Sequence, residues 1–156
     1  MVTVARIETG DSKFTIDEVK SYIHLIGNER DDELQVMLDA AIAAVEDYCN
    51  ISLRPTTWKL SQDLATDNQK LFYPPVIEVV SINDYDGLQL QYKVLQDIVY
   101  IDTASSFICT YKTGEAEDAN RYKAAVLAYT GLLFDGNDDN NSFNIVMSRY
   151  LPYRML

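Results

Sequence analysis

Apolar residues recur at two different periods along this chain, and the change of period divides it into blocks. From Leu34 onward, Leu34, Met37, Leu38, Ala41, Ile42, Val45, Tyr48 and Cys49 fall at steps of three and four, the signature of an amphipathic helix. A shorter run ahead of it, Val19, Tyr22, Ile23 and Ile26, has the same spacing. It follows Thr15-Ile16-Asp17-Glu18, a capping box that satisfies two orphan backbone donors, with Phe14 placed to staple onto Val19. Gly27-Asn28 and Asn50 read as the two stops. After Arg54-Pro55 the period falls to two. Trp58, Leu60 and Gln62 alternate with Thr57, Lys59 and Ser61, and Val76 to Ile82 is rich in β-branched residues. The turn Asp86-Gly87, followed by the alternating Leu88, Leu90, Tyr92 and Val94, predicts a hairpin. Ile98–Ile101 and Phe107–Tyr111 read as two further short strands separated by a turn over Asp102-Thr103-Ala104-Ser105-Ser106. The helical period returns with Tyr122, Ala125, Val126, Tyr129 and Leu133, and again with Phe143, Val146 and Tyr150.

These patterns predict helices at about 15–27, 32–49, 118–134 and 142–150, a β region at about 56–112 and a tail at 151–156. Strands that follow one another rather than alternating with helices indicate an α+β fold. We read it as mainly helical: an N-terminal helical hairpin, a central antiparallel β hairpin or small sheet, and C-terminal helices. A chain of 156 residues fits a single domain spanning 1–156. The opening Met1–Glu8 lacks the basic-then-apolar layout of a signal peptide, so a soluble protein made inside the cell is expected.

Charge narrows the function. Thirteen Lys and Arg against 24 Asp and Glu give a net charge of −11. Nucleic-acid binders draw affinity from basic side chains on phosphates, and no basic stripe offsets this balance. Signals for catalysis are poor. The glycines are scattered singly, which excludes phosphate-cradling loops, and one histidine rules out paired-histidine metal motifs. His24 reads as a surface residue. Cys49 and Cys109 lie far apart on apolar faces and read as small core residues, with no zinc spacing. Asp135, Asp138 and Asp139 sit in a turn-forming loop that lacks the glycine and terminal glutamate of an EF-hand. No catalytic residue, metal site or cofactor is expected. Eleven tyrosines, several of them in strands, turns and the tail, suit wet protein contacts.

The order of motifs resembles the head–tail connector (adaptor, or head-completion) proteins of long-tailed bacteriophages and prophages. The resemblance rests on Thr15–Lys20, Asp31-Asp32-Glu33-Leu34, the alanine-rich Ala40–Tyr48, Arg54-Pro55-Thr56-Thr57-Trp58, Tyr73–Ile82, Asp86-Gly87, Tyr111–Gly114, Lys123–Leu127 and Leu151-Pro152-Tyr153-Arg154. The chain departs from the family pattern at Glu117-Asp118-Ala119-Asn120 and Leu133-Phe134-Asp135-Gly136. The resemblance implies a structural, non-enzymatic protein of the virion neck, assembled in the host cytoplasm. It implies a ring, typically of twelve copies, below the capsid portal. That ring meets the portal protein on one side and the next neck or tail-completion protein on the other, and it continues the DNA channel without specific nucleic-acid or membrane binding. On this reading Glu115, Glu117, Asp118, Asp135, Asp138 and Asp139 are expected to line the channel and repel phosphates. Leu151, Pro152, Tyr153 and Arg154 are expected to contact the portal or a neighbouring copy. Two alternatives of other classes are a soluble peptide- or ligand-binding module and a small hydrolase built on a carboxylate pair.

Overall fold

The structure, a computed structural model, describes residues 1–137 and 139–151. It holds five strands, β1 (Val2–Thr9), β2 (Thr56–Lys70), β3 (Val76–Asn83), β4 (Tyr92–Leu95) and β5 (Ile98–Thr113). Four α-helices accompany them: α1 (Ile16–Ile23), α2 (Asp31–Cys49), α3 (Lys123–Phe134) and α4 (Asn140–Tyr150), with a 3-10 turn at Ala119–Tyr122 ahead of α3. The α+β class stands, but the mainly helical description does not. Among the described residues helix accounts for 36% and strand for 35%, and the strands form one five-stranded antiparallel sheet.

Three segments explain the difference. Asp102–Ser106, read as a turn, lies inside β5, because its small and hydroxylated residues accept extended backbone without any apolar alternation to announce it. The second strand continues to Lys70 through an equally polar stretch. The first strand, at Val2–Thr9, lies outside every element that the sequence pattern predicts. Val2 and Val4 alternate with exposed Thr3 and Ala5, and Arg6 blurs the pattern. The expected hairpin is also re-paired. Both β3 and β4 lie against β5, while between the expected partners only an Asn83–Gln89 bridge forms.

The chain divides into two compact units, each assembled from separated segments. One comprises Met1–Asp11 and Ile51–Ala116 and contains the sheet, in the order β1-β2-β5-β3 with β4 on β5. Its core is the inward row of the strands: Trp58, Leu60, Phe107, Cys109, Tyr111 and Ile82, joined by Leu71, Val99 and Ile101. Trp58 stacks on Tyr73 with ring centroids 4.1 Å apart and planes 2° from parallel. The Arg6 guanidinium lies over both rings, 4.8 Å from the indole and 5.5 Å from the phenol. A buried polar thread runs beside them. Trp58 Nε1 donates to Thr113 Oγ1 at 2.8 Å, that hydroxyl donates to Ser52 Oγ at 3.0 Å, and Ser52 donates to the Arg54 carbonyl at 2.7 Å. The Trp58, Thr113 and Ser52 side chains each thereby have the partner that burial demands.

The other unit comprises Ser12–Asn50 and the segment from Glu117 onward, and holds the helices. Thr15 and Glu18 form the capping box, which typically contributes about 1 kcal/mol. The first helix ends at His24, which takes the left-handed conformation itself (φ 59°), three residues before the expected Gly27 stop. Asn50 does terminate α2, at φ 53°. Leu34, Leu38, Ala41, Ile42 and Val45 are fully buried, as are Ala125 and Val126 of α3. Gly131 marks a close approach, since a Cβ there would meet Ile23 Cγ2 at 3.3 Å. Phe143 meets Tyr129 and Tyr48 edge-on at 5.1 and 6.0 Å. Lys20 pairs with Asp31, and Lys123 with Glu18. The Lys123 ammonium holds the Glu18 carboxyl below its usual range.

Candidate functional site

Among the described residues no three His, Cys, Asp or Glu side chains converge on a point that suits a metal ion. No helix among them is long and apolar enough to cross a membrane. His24 is exposed at the end of α1, and both thiols are buried. Burial in the sheet core pushes the Cys109 thiol up to about 12, so it stays protonated and is a poor nucleophile. In the folded protein Cys109 is therefore expected to resist a thiol reagent such as 5,5′-dithiobis(2-nitrobenzoate), and to titrate only once urea unfolds the sheet. Rapid native reaction would contradict the packing described. Tyr111 is likewise kept protonated by burial, and its hydroxyl donates to the Phe72 carbonyl at 3.0 Å.

The expected acidic residues occupy two exposed segments rather than one cluster. Glu115, Glu117 and Asp118 lie on the stretch leading into the 3-10 turn, where Asp118 sits 3.9 Å from Arg121. Asp135 follows α3, and Asp139 is the N-cap of α4. The Ser142 backbone N–H donates to Asp139 at 2.7 Å, and this bond lowers the carboxyl's pKa. Asp138 lies outside the described residues. Leu151 is 3% exposed and closes α4 through its N–H to the Met147 carbonyl. Pro152, Tyr153 and Arg154 lie outside the described residues.

What the surface does offer is exposed apolar side chains. Ile26 is 94% exposed, Val36 on α2 69%, and Leu95 beside the β4–β5 turn 65%. Sequence periodicity places Ile26 on the apolar face of a helix that instead ends at Ile23, and it passes over Val36 and Leu95, because it registers which residues repeat on a face, not which faces remain uncovered. Isolated exposed apolar residues are ordinary, but several among polar neighbours suit contact with other chains.

The family model for phage gp6-like head-tail connector proteins matches residues 13–100, from just before α1 into β5. The chain belongs to this family. It is a structural virion protein that joins head to tail, and the family is not one of enzymes. Solved structures share the fold over nearly the whole length. One is a chain of the neck of an empty gene transfer agent particle computed with C6 symmetry, at a TM-score of 0.70 and 16% identity, covering 99% of this chain and 97% of that one. A second, in the virion of the native gene transfer agent particle, also gives 0.70, at 18% identity, with 99% and 96% covered. A third, in the native particle's neck computed with C12 symmetry, gives 0.57 at 16% identity over 96% and 98%. No curated protein matches the sequence.

Proposed function

We propose that this connector works as a closed ring in the virion neck, with twelve copies, seated against the portal protein and offering its other side to the next neck or tail-completion protein. The observation that carries the reading is the family match, supported by a fold shared end to end with neck chains of particles computed with six- and twelvefold symmetry. The ring forms in the host cytoplasm during assembly and continues the DNA channel. Glu115, Glu117, Asp118, Asp135, Asp138 and Asp139 line that channel. At physiological salt the Debye length is about 8 Å, so only carboxylates facing the lumen act on the passing phosphates. Of the expected tail Leu151-Pro152-Tyr153-Arg154, Leu151 is buried against its own chain, and the residues after it carry a contact to the portal or to a sister copy, with Tyr153 and Arg154 as its anchors.

Light scattering and negative-stain microscopy of the full chain, alone and mixed with portal protein, test the reading. A ring species, or a ring docked on portal, is the expected result. A monomer that ignores portal at every soluble concentration overturns it. Removing residues 152–156 is expected to weaken portal binding while leaving the circular dichroism spectrum unchanged. Undiminished binding discards the tail assignment alone.

A further inference from the structure

One face of the sheet unit carries two lysines in a chain of net charge −11, with exposed Asp102, two residues beyond Tyr100 on β5, at its end. In register, Asn68, Tyr100 and Lys93 form one cross-strand row, and Lys70, Ile98 and Leu95 form the next. Alternate residues on a strand point the same way, so these six side chains share a face, opposite buried Val99 and Ile101. Leu95 is 65% and Tyr100 40% exposed. Lys70 and Lys93 are exposed on the two outer strands of this face, and among the described residues neither takes part in an ion pair. The face is thus an apolar, aromatic centre with lysines at its margins.

The outer side of α2 carries the inverse arrangement. This helix has six carboxylates and no Lys or Arg. Val36 is 69% exposed, and Asp32, Asp39 and Ala40 lie three or four residues from it, hence on the same helical face, all exposed. The neighbouring acids are engaged elsewhere: Asp31 with Lys20, and Glu33 with the Arg30 fork. Val36 and Ala40 thus form a narrow apolar strip flanked by the exposed carboxylates of Asp32 and of Asp39, which accepts from Gln35 Nε2 at 3.1 Å.

We propose that these two faces form the contact between successive copies, the Lys70–Lys93–Tyr100 face of one copy seating on the Asp32–Val36–Ala40 face of the next. The inference rests on the ring reading and names its interface. A ring closes only through a head-to-tail contact between two different patches. Here the patches differ in charge sign and match in apolar content. Each repels its own kind, which disfavours the face-to-face dimers that would terminate assembly. Tyrosine and lysine stems supply contact area around Leu95, while small Ala40 lets the helix approach closely.

The test uses two full-length charge-reversed variants, K70E/K93E and D32K/D39K, with circular dichroism confirming that both fold. Each alone is expected to lose the ring that the wild-type protein forms, with or without portal. Mixed in equal amounts they are expected to recover it, because every junction again joins an acidic face to a basic one. Rings from either variant alone overturn the inference, and so does a mixture that fails to assemble. A K70E/K93E protein that forms rings but no longer binds portal overturns it as well, by assigning the basic face to portal. Wild-type protein that never forms a ring is the distinct result that brings down the ring reading itself.

Discussion

Trp58→Ala is expected to destabilise the sheet unit by about 3–5 kcal/mol, the range for removing a large aromatic from a packed core. The indole is 1% exposed and stacked on Tyr73. Its loss opens a cavity, removes the ring beneath Arg6 and deprives Thr113 Oγ1 of the Nε1 donor. Urea titration followed by far-ultraviolet circular dichroism reads the effect, since the substitution removes the only tryptophan and with it the fluorescence signal. With slopes of about 1–3 kcal/mol per molar urea, the midpoint falls by about 1 M or more. Trp58→Phe is expected to cost less, because it keeps a stacking partner for Tyr73 and drops only the N–H. A Trp58→Ala protein within 1 kcal/mol of wild type would show that the stack is peripheral.

Leu38→Ala is the second large effect, about 2–5 kcal/mol. Leu38 is fully buried on α2, one turn from Ala41 and Ile42. Hydrogen exchange is expected to show lost protection across α2 and α3, the helices that bury this face. Val36→Ala, two residues away on the same helix, is the control. At 69% exposure it is expected to stay within about 0.5 kcal/mol of wild type as an unassembled chain. Equal costs at the two positions would mean that the assignment of inner and outer faces on α2 is wrong.

The helices were legible because their burial is one-sided over several turns. From Leu34 to Cys49 the three-four spacing picks out Leu34, Leu38, Ala41, Ile42, Val45 and Cys49, all buried, with Met37 and Tyr48 half-buried and Glu46 buried outside the pattern, and Asn50 stops the helix in the left-handed conformation that its short polar side chain tolerates. The sheet was legible only where it is covered. Trp58, Leu60, Phe107 and Cys109 announce themselves, whereas Asp63–Lys70 and Asp102–Ser106 show no such alternation, and between Gln62–Phe107 and Asn68–Tyr100 the β2–β5 register keeps one pair, Thr66–Ser105, across two irregularities that no local pattern contains. The same limit applies to the surfaces. Acidic segments can be picked out by composition. The grouping of Lys70 with Lys93 around Tyr100 exists only through cross-strand register, and the exposure of Val36 only through the partners its helix chose.

The interleaving of the two units along the polypeptide has a consequence for synthesis on the ribosome. Neither unit is a contiguous stretch: the sheet needs β1 from the beginning and β5 from beyond residue 98, while the helices need α1 and α3 from either side of the whole strand block. The first strand therefore emerges with nothing to pair with until β2 follows, and α1 and α2 wait longer still for α3. Nascent chains halted before residue 123 are expected to hold an uncovered helical face, a substrate for chaperones rather than a half-finished domain.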